Sequence, residues 1–292
     1  MSAATAPAPL AAVGPQTPAT AATAVDGVPA GARSWLPAEG AARRGTVVLL
    51  PGRGENPAVY QRFGRRLAAD GYLVHALAPA VDPAPGTDPA PGSEPSRRTE
   101  AVAAAFAAIA ERAPAPVVLA GSDTGALLAL AAVREAGAGP DGLLLAALPL
   151  ADGDPAPADW DEELAARTSC PAHRGVLTAD PDFARGGFAG PVPDTLLTSA
   201  LGPAGERQQP GRRLPPVLAL HGAADPVAPP EAVRRFVAGL PAAVLVLVED
   251  GRHDVLNDAA HRSVAAQAVQ WLERLRGGPD LPPVLTVEEL PR

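Results

Sequence analysis

Lysine is absent from the 292 residues, so all 24 basic side chains other than histidine are arginines. The short GRGE stretch at 52–55 therefore cannot be a phosphate-binding loop, which needs its lysine and a longer run. There is one cysteine, Cys170, which excludes an intrachain disulfide framework. The five histidines are scattered without ligand spacing, so no metal constellation is readable, and no cofactor is implied. No apolar run is long enough to span a bilayer. The formal net charge of −8 argues against nucleic acid and anionic membrane surfaces as partners. The start, MSAATAPAPLAAVG, has no basic segment and its apolar stretch is broken by proline, which makes a poor signal peptide. These absences predict a soluble, cytoplasmic protein.

What is abundant is alanine and proline, and this usage reads as codon bias rather than mechanism. Residues 1–22 offer little to bury and predict a disordered tail. Short strands are expected around Trp35. From residue 46 the pattern is regular. TVVLL (46–50) is a short apolar, β-branched run of the kind a buried parallel strand requires. Asn56 and Pro57 open a helix expected over 57–70, with Tyr60, Phe63 and Leu67 on one face and Gly71 at its end. Strands follow at 72–78, 116–120, 142–148, 216–220 and 243–248, with helices at 97–112, 124–136, 229–239 and 258–275. Such alternation predicts a mostly parallel sheet covered by helices on both faces. Two segments interrupt it. The tandem DPAPGT–DPAPGS unit within 81–95 reads as an extended surface loop. Residues 151–213 are far longer than a crossover needs, contain a helical stretch near 160–167, and predict a small cap over the sheet's carboxyl edge.

Three chemistry-bearing residues stand after predicted strands. Asp123 follows 116–120 within GSDTG, Asp225 follows 216–220 within HGAADPVAP, and His253 follows 243–248 within EDGRHDVLND. A fourth element, PGRGENP, follows 46–50. In GSDTG the aspartate holds the centre of a strand–turn–helix elbow, where a nucleophile is expected, and Ser122 stands one residue early with its side chain belonging to the strand. A carboxylate at that place needs no base to become nucleophilic. His253 could then activate water, with Asp225 fixing its tautomer. Asp123 could otherwise simply cap helix 124–136, and His253 could be a buried structural histidine. Asp152 is a reserve acid. His75 and His221 read as packing or supporting groups, and the Arg53 side chain as solvated charge.

In its order of elbow, HGxxDxxxP and GRHD, the sequence over about 40–150 and 214–276 resembles the α/β-hydrolase fold superfamily, with aspartate at the elbow as in epoxide hydrolases and haloalkane dehalogenases. The resemblance implies chemistry at an alkyl carbon through an alkyl-enzyme ester. It implies oxyanion donors at the backbone N–H groups of Arg53 and Thr124. There are departures. Epoxide hydrolases use cap tyrosines, and the two tyrosines here, Tyr60 and Tyr72, lie outside 151–213. Dehalogenases place tryptophan, or in fluoroacetate dehalogenases arginine, where this chain has Thr124, and the oxyanion loop opens with Pro51-Gly52 rather than His-Gly. Trp160 is the candidate substrate contact within the cap, with His173 or a cap arginine as further candidates. The sequence thus predicts a hydrolase of a small organic substrate. It leaves open an ester, lactone or thioester hydrolase or a cyclase or lyase using Asp123 and His253 as a general base, and a non-catalytic binding protein on the same fold.

Overall fold

The structure, a computed structural model, describes residues 27–78, 94–150, 153, 156–202 and 214–286. The expected tail at 1–22, the DPAPG repeat and Asp152 lie outside the described residues.

Seven strands form one sheet: β1 (Arg33–Trp35), β2 (Gly45–Leu50), β3 (Tyr72–Ala76), β4 (Val117–Ser122), β5 (Gly142–Ala146), β6 (Val217–Gly222) and β7 (Ala243–Val248). Their order is β1-β3-β2-β4-β5-β6-β7, with only β1 antiparallel to its neighbour. Strands β2 through β6 are buried along their whole length, which is why their sequences are continuous apolar runs rather than alternating ones. Eight helices accompany the strands among the described residues: α1 (Gln61–Ala69), α2 (Glu94–Ala110), α3 (Thr124–Arg134), α4 (Trp160–Arg167), α5 (Pro171–Ala179), α6 (Asp194–Leu201), α7 (Pro230–Ala238) and α8 (His261–Arg276). A 3-10 turn at Pro57–Tyr60, capped by the Asn56 side chain, leads into α1.

The sheet divides the core. On one face α1 and α8 bury Phe63, Leu67, Trp271 and Leu272 against alternate residues of β2–β6. On the other, α2, α3, α6 and α7 meet the intervening strand residues. Helix α3 is apolar all round because it is sandwiched: Gly125 through Val133 are all buried, with α6 packed over it. The segment between β5 and β6 carries α4, α5 and α6. Of these α6 lies on α3, whereas Leu164, Leu177 and Phe183 join the core on the α1–α8 face.

The chain reverses its direction of sheet growth at β2. Strand β3 is laid down on one side of it and β4 on the other. At such a switch point the loops leaving the carboxyl ends diverge and open a crevice for a ligand. The loop after β2 carries Arg53, and the turn after β4 carries Asp123.

Candidate active site

The turn from β4 into α3 is sharp. Asp123 has φ 51° and ψ −125°, a conformation that a non-glycine residue holds only where its surroundings impose it. The glycines either side are required by close approach. A Cβ on Gly121 would lie 2.3 Å from the backbone of Gly125, and one on Gly125 would lie 2.3 Å from the carbonyl oxygen of Leu50. The Asp123 side chain projects from this elbow toward the loop after β2. Ser122 ends β4, buried and hydrogen-bonded with Tyr60.

Asp225 and His253 come to the same place from the ends of β6 and β7. His253 Nδ1 donates to Asp225 Oδ2 at 2.9 Å, and Nε2 stands 3.3 Å from Asp123 Oδ1, within ion-pair range but without the alignment of a hydrogen bond. Asp225 is itself held by the backbone N–H groups of Val227 and Ala228, at 2.9 and 3.1 Å. His221 lies behind it, donating from Nε2 to the Ala228 carbonyl at 2.8 Å, and burial pushes its pKa down. His75 is a packing residue on β3, hydrogen-bonded to Ser34 and held neutral by burial at a pKa of about 4.

Arg53 differs from the solvated side chain expected of it. Its backbone N–H donates to Asp123 Oδ2 at 2.9 Å, its Nε to the same oxygen at 2.8 Å, and its Nη2 to Oδ1 at 2.9 Å. The side chain is only 16% exposed because the carboxylate accepts its fork bidentately and Phe188 lies 4.9 Å from its Cζ. The contact of Thr124 with the carboxylate is through its hydroxyl, 3.5 Å from Oδ2.

Charge follows from this packing. Burial opposes a charged imidazole, but Asp225, reinforced by Asp123, outweighs it and pushes His253 up to about 10. Burial likewise opposes ionisation of Asp123, yet His253 and Arg53 hold it well below the usual carboxylate range. Asp225 is lowered in the same way, with His253 outweighing burial. At neutral pH two cations therefore alternate with two carboxylates.

A second buried cluster supports the first and was not foreseen from the sequence. Arg167, at the end of α4, is fully buried. It pairs with Glu163 at 2.8 Å and Asp254 at 3.4 Å, and donates to the carbonyl of Arg53 at 2.8 Å. Its Cζ lies 4.0 Å from the Phe188 ring centre, and Phe188 in turn meets His253 edge-on at 5.0 Å. The i,i+4 spacing of Glu163 and Arg167 was the available signal. Asp254 also contacts His173 Nε2 at 3.1 Å, which places that histidine away from the cavity. Glu55 accepts from the Gly52 N–H at 2.8 Å and from Tyr60, and burial, aided by Asp254, raises its pKa to about 7. The loop that carries His253 is sewn to α4: the N–H of His253 donates to the Ala166 carbonyl at 3.2 Å and that of Asp254 to the Arg167 carbonyl at 2.8 Å.

A cavity of about 430 Å³ opens beside these groups, walled by alanine, glycine, proline and valine together with Phe188 and Arg53. Trp160, the expected substrate contact, is not part of its wall. It packs against Phe183 at 5.6 Å and beneath Arg185 at 4.7 Å.

Residues 47–267 match the alpha/beta hydrolase family. No curated protein matches the sequence. Among solved structures, a soluble variant of monoglyceride lipase from Saccharomyces cerevisiae is similar over 84% of this chain and 91% of that one, at 17% identity and a TM-score of 0.66. A monoacylglycerol lipase from Paleococcus ferrophilus is similar over 84% and 98%, at 19% identity and 0.61. A type II thioesterase from the yersiniabactin pathway is similar over 84% and 99%, at 19% and 0.55. At these identities the likeness shows the fold.

Proposed function

The chain belongs to the alpha/beta hydrolase family, and from that premise we propose a cofactor-independent hydrolase in which Asp123 attacks a carbon atom of a small organic substrate. The observation that carries this reading is the 2.9 Å hydrogen bond from the Arg53 backbone N–H to Asp123 Oδ2. In this reading Oδ2 is the oxygen that carries the oxyanion, and Oδ1, on the His253 side, is the oxygen that reacts once it gives up its contact with Arg53 Nη2.

In this mechanism Oδ1 forms a bond to the substrate carbon as the bond to the leaving group breaks with its electron pair. The proton held by His253 passes to the leaving group. Asp123 is now a neutral ester, so His253 has lost one of the two carboxylates that raised its pKa and remains as the free base. The imidazole then takes a proton from water, and the hydroxide oxygen adds to the Asp123 carboxyl carbon. Charge moves onto Oδ2, which the Arg53 N–H holds. Collapse of the tetrahedral species breaks the bond between the carboxyl carbon and Oδ1 and releases the alcohol product with the proton from His253; the carboxylic acid left on Asp123 then returns its proton to His253, restoring the carboxylate and the imidazolium. Asp225 keeps Nδ1 protonated throughout. The segment 156–202, as a cap, excludes bulk water.

One observation favours a second reading. Both Asp123 oxygens are bound to Arg53, which lowers their nucleophilicity. Asp123 and His253 would then act as an acid–base pair on an ester, lactone or thioester, or in a cyclase or lyase reaction. Intact-protein mass spectrometry of His253→Gln with epoxides, haloalkanes and activated esters separates the two. The variant lacks the water-activating base, so covalent attack leaves an adduct that digestion maps to Asp123. Turnover by the wild type of an activated ester, whose leaving group departs without a proton, that leaves no adduct on the variant would establish the acid–base reading. An adduct on Ser122 would overturn both.

A further inference from the structure

The cavity and the carboxylate do not meet directly. Asp123 is 2% exposed and, like His253, is absent from the cavity wall, whereas Arg53 belongs to both places. Among the described wall residues Arg53 is the one that carries charge; the others are alanine, glycine, proline, valine and phenylalanine. The residue that lines the cavity thus also holds both Asp123 oxygens through its guanidinium. A substrate that reaches Oδ1 has to displace that guanidinium or engage it.

A neutral apolar substrate provides nothing to compensate a cation pulled from a buried carboxylate, which leaves that carboxylate unpaired and desolvated. An anionic substrate does. The fork Nε/Nη2 already holds a carboxylate, that of Asp123, at 2.8 and 2.9 Å, so its bite suits a second one. A single arginine matches a single negative charge, and apolar walls suit an organic remainder. We propose that Arg53 is the specificity-determining residue of this site and that the substrate is a small organic monocarboxylate whose carboxylate draws the guanidinium off Asp123. The Nη1 contact with the Gly190 carbonyl, at 3.2 Å, holds the far edge of the fork as the near edge changes partner. Substrate binding thereby frees Oδ1 at the moment it is needed. The inference rests on the site described above as the reacting one, but not on covalent attack.

The test is binding, so it does not depend on turnover. Calorimetric affinities for butyrate and phenylacetate, against butyramide and phenylacetamide, are measured on wild type, Asp123→Asn, and Asp123→Asn with Arg53→Met. Neutralising Asp123 removes the internal competitor. Both carboxylates are expected to bind Asp123→Asn at least tenfold more tightly than wild type, and to lose that gain in the double variant. The amides should bind all three alike. Equal affinity of acid and amide for Asp123→Asn, or carboxylate binding that survives in the double variant, would overturn the proposal. Chloride or phosphate binding as tightly as butyrate would overturn the organic part of it. As a second arm, butyrate but not butyramide should raise the melting temperature of wild type and leave that of Arg53→Met unmoved; equal shifts would refute it. Carboxylate selectivity with no adduct on Asp123 would leave this inference standing and remove covalent attack; an adduct from neutral compounds alone would do the reverse.

Discussion

The charge on His253 can be tested through stability. An imidazole in the unfolded chain titrates near 6.5, and the folded site raises this one to about 10. A group whose folded pKa is raised contributes stability that is complete below its unfolded pKa and is lost as pH climbs through the folded one. From pH 7 to pH 9 that loss amounts to about 2.5 kcal/mol for this one residue. The window must stop near pH 9, because Tyr60 and Tyr72 are also raised by burial and begin to add their own loss as the unfolded chain ionises near 10. The perturbation is His253→Gln. The variant will be less stable at every pH, since Asp123 and Asp225 lose their shared cation, but its slope is the informative quantity. Urea midpoints, followed by fluorescence of the three tryptophans, are measured on both proteins at pH 7, 8 and 9. The wild type should lose about 2.5 kcal/mol more than the variant over this range. Parallel curves would mean that His253 is neutral in the resting protein and would remove the alternation of charge from the mechanism.

Further outcomes follow from single contacts. Gly64→Ala lies within α1, where alanine is favoured by about 1 kcal/mol, yet the added Cβ would stand 2.2 Å from the Trp35 ring; a net loss of about 1–3 kcal/mol is expected by chemical denaturation, and a gain would show that Trp35 moves freely. Arg167→Met strands Glu163 and Asp254 without their cation, so stability should fall by about 3–5 kcal/mol, and a loss under about 1 kcal/mol would show the cluster to be hydrated. Glu55, raised from 4.5 to about 7, loses its stability contribution as pH rises through that range. Glu55→Gln still accepts from Gly52 and Tyr60, so it should be more stable than wild type at pH 8 and comparable to it at pH 4; the opposite order would show that folding lowers the pKa of Glu55 instead of raising it.

The alternation of strands and helices was legible because fully buried parallel strands must be short apolar runs, as β2 through β6 are, and the half-buried β7 at the sheet edge is an apolar run too. The register of GSDTG was legible too, since only its central residue lies at the turn while Ser122 completes β4. The helix at 171–179 was not: PAHRGVLTA has a weak apolar stripe, with His173 and Leu177 as its buried residues. Nor was the role of Arg53. Its partner is 70 positions away, and no local pattern separates a guanidinium that meets a carboxylate across a switch point from one that meets water. Arg167 and Glu163 look, within WDEELAAR, like a solvated helix face. They are buried because the loops after β2 and β7 close over them, which is information held by the tertiary fold alone. The position of Trp160 was not legible either: it packs against Phe183, outside the wall of the cavity beside Arg53.

The two hydrogen bonds from the His253 loop to the last carbonyls of α4 bear on how such a protein can diverge. Helix ends leave carbonyls that must find donors, and here the donors are the backbone N–H groups of His253 and Asp254. The segment that shapes the cavity and the loop that carries His253 are therefore one mechanical piece. Exchange of 156–202 for the equivalent segment of another protein would unseat the imidazole along with the cavity wall.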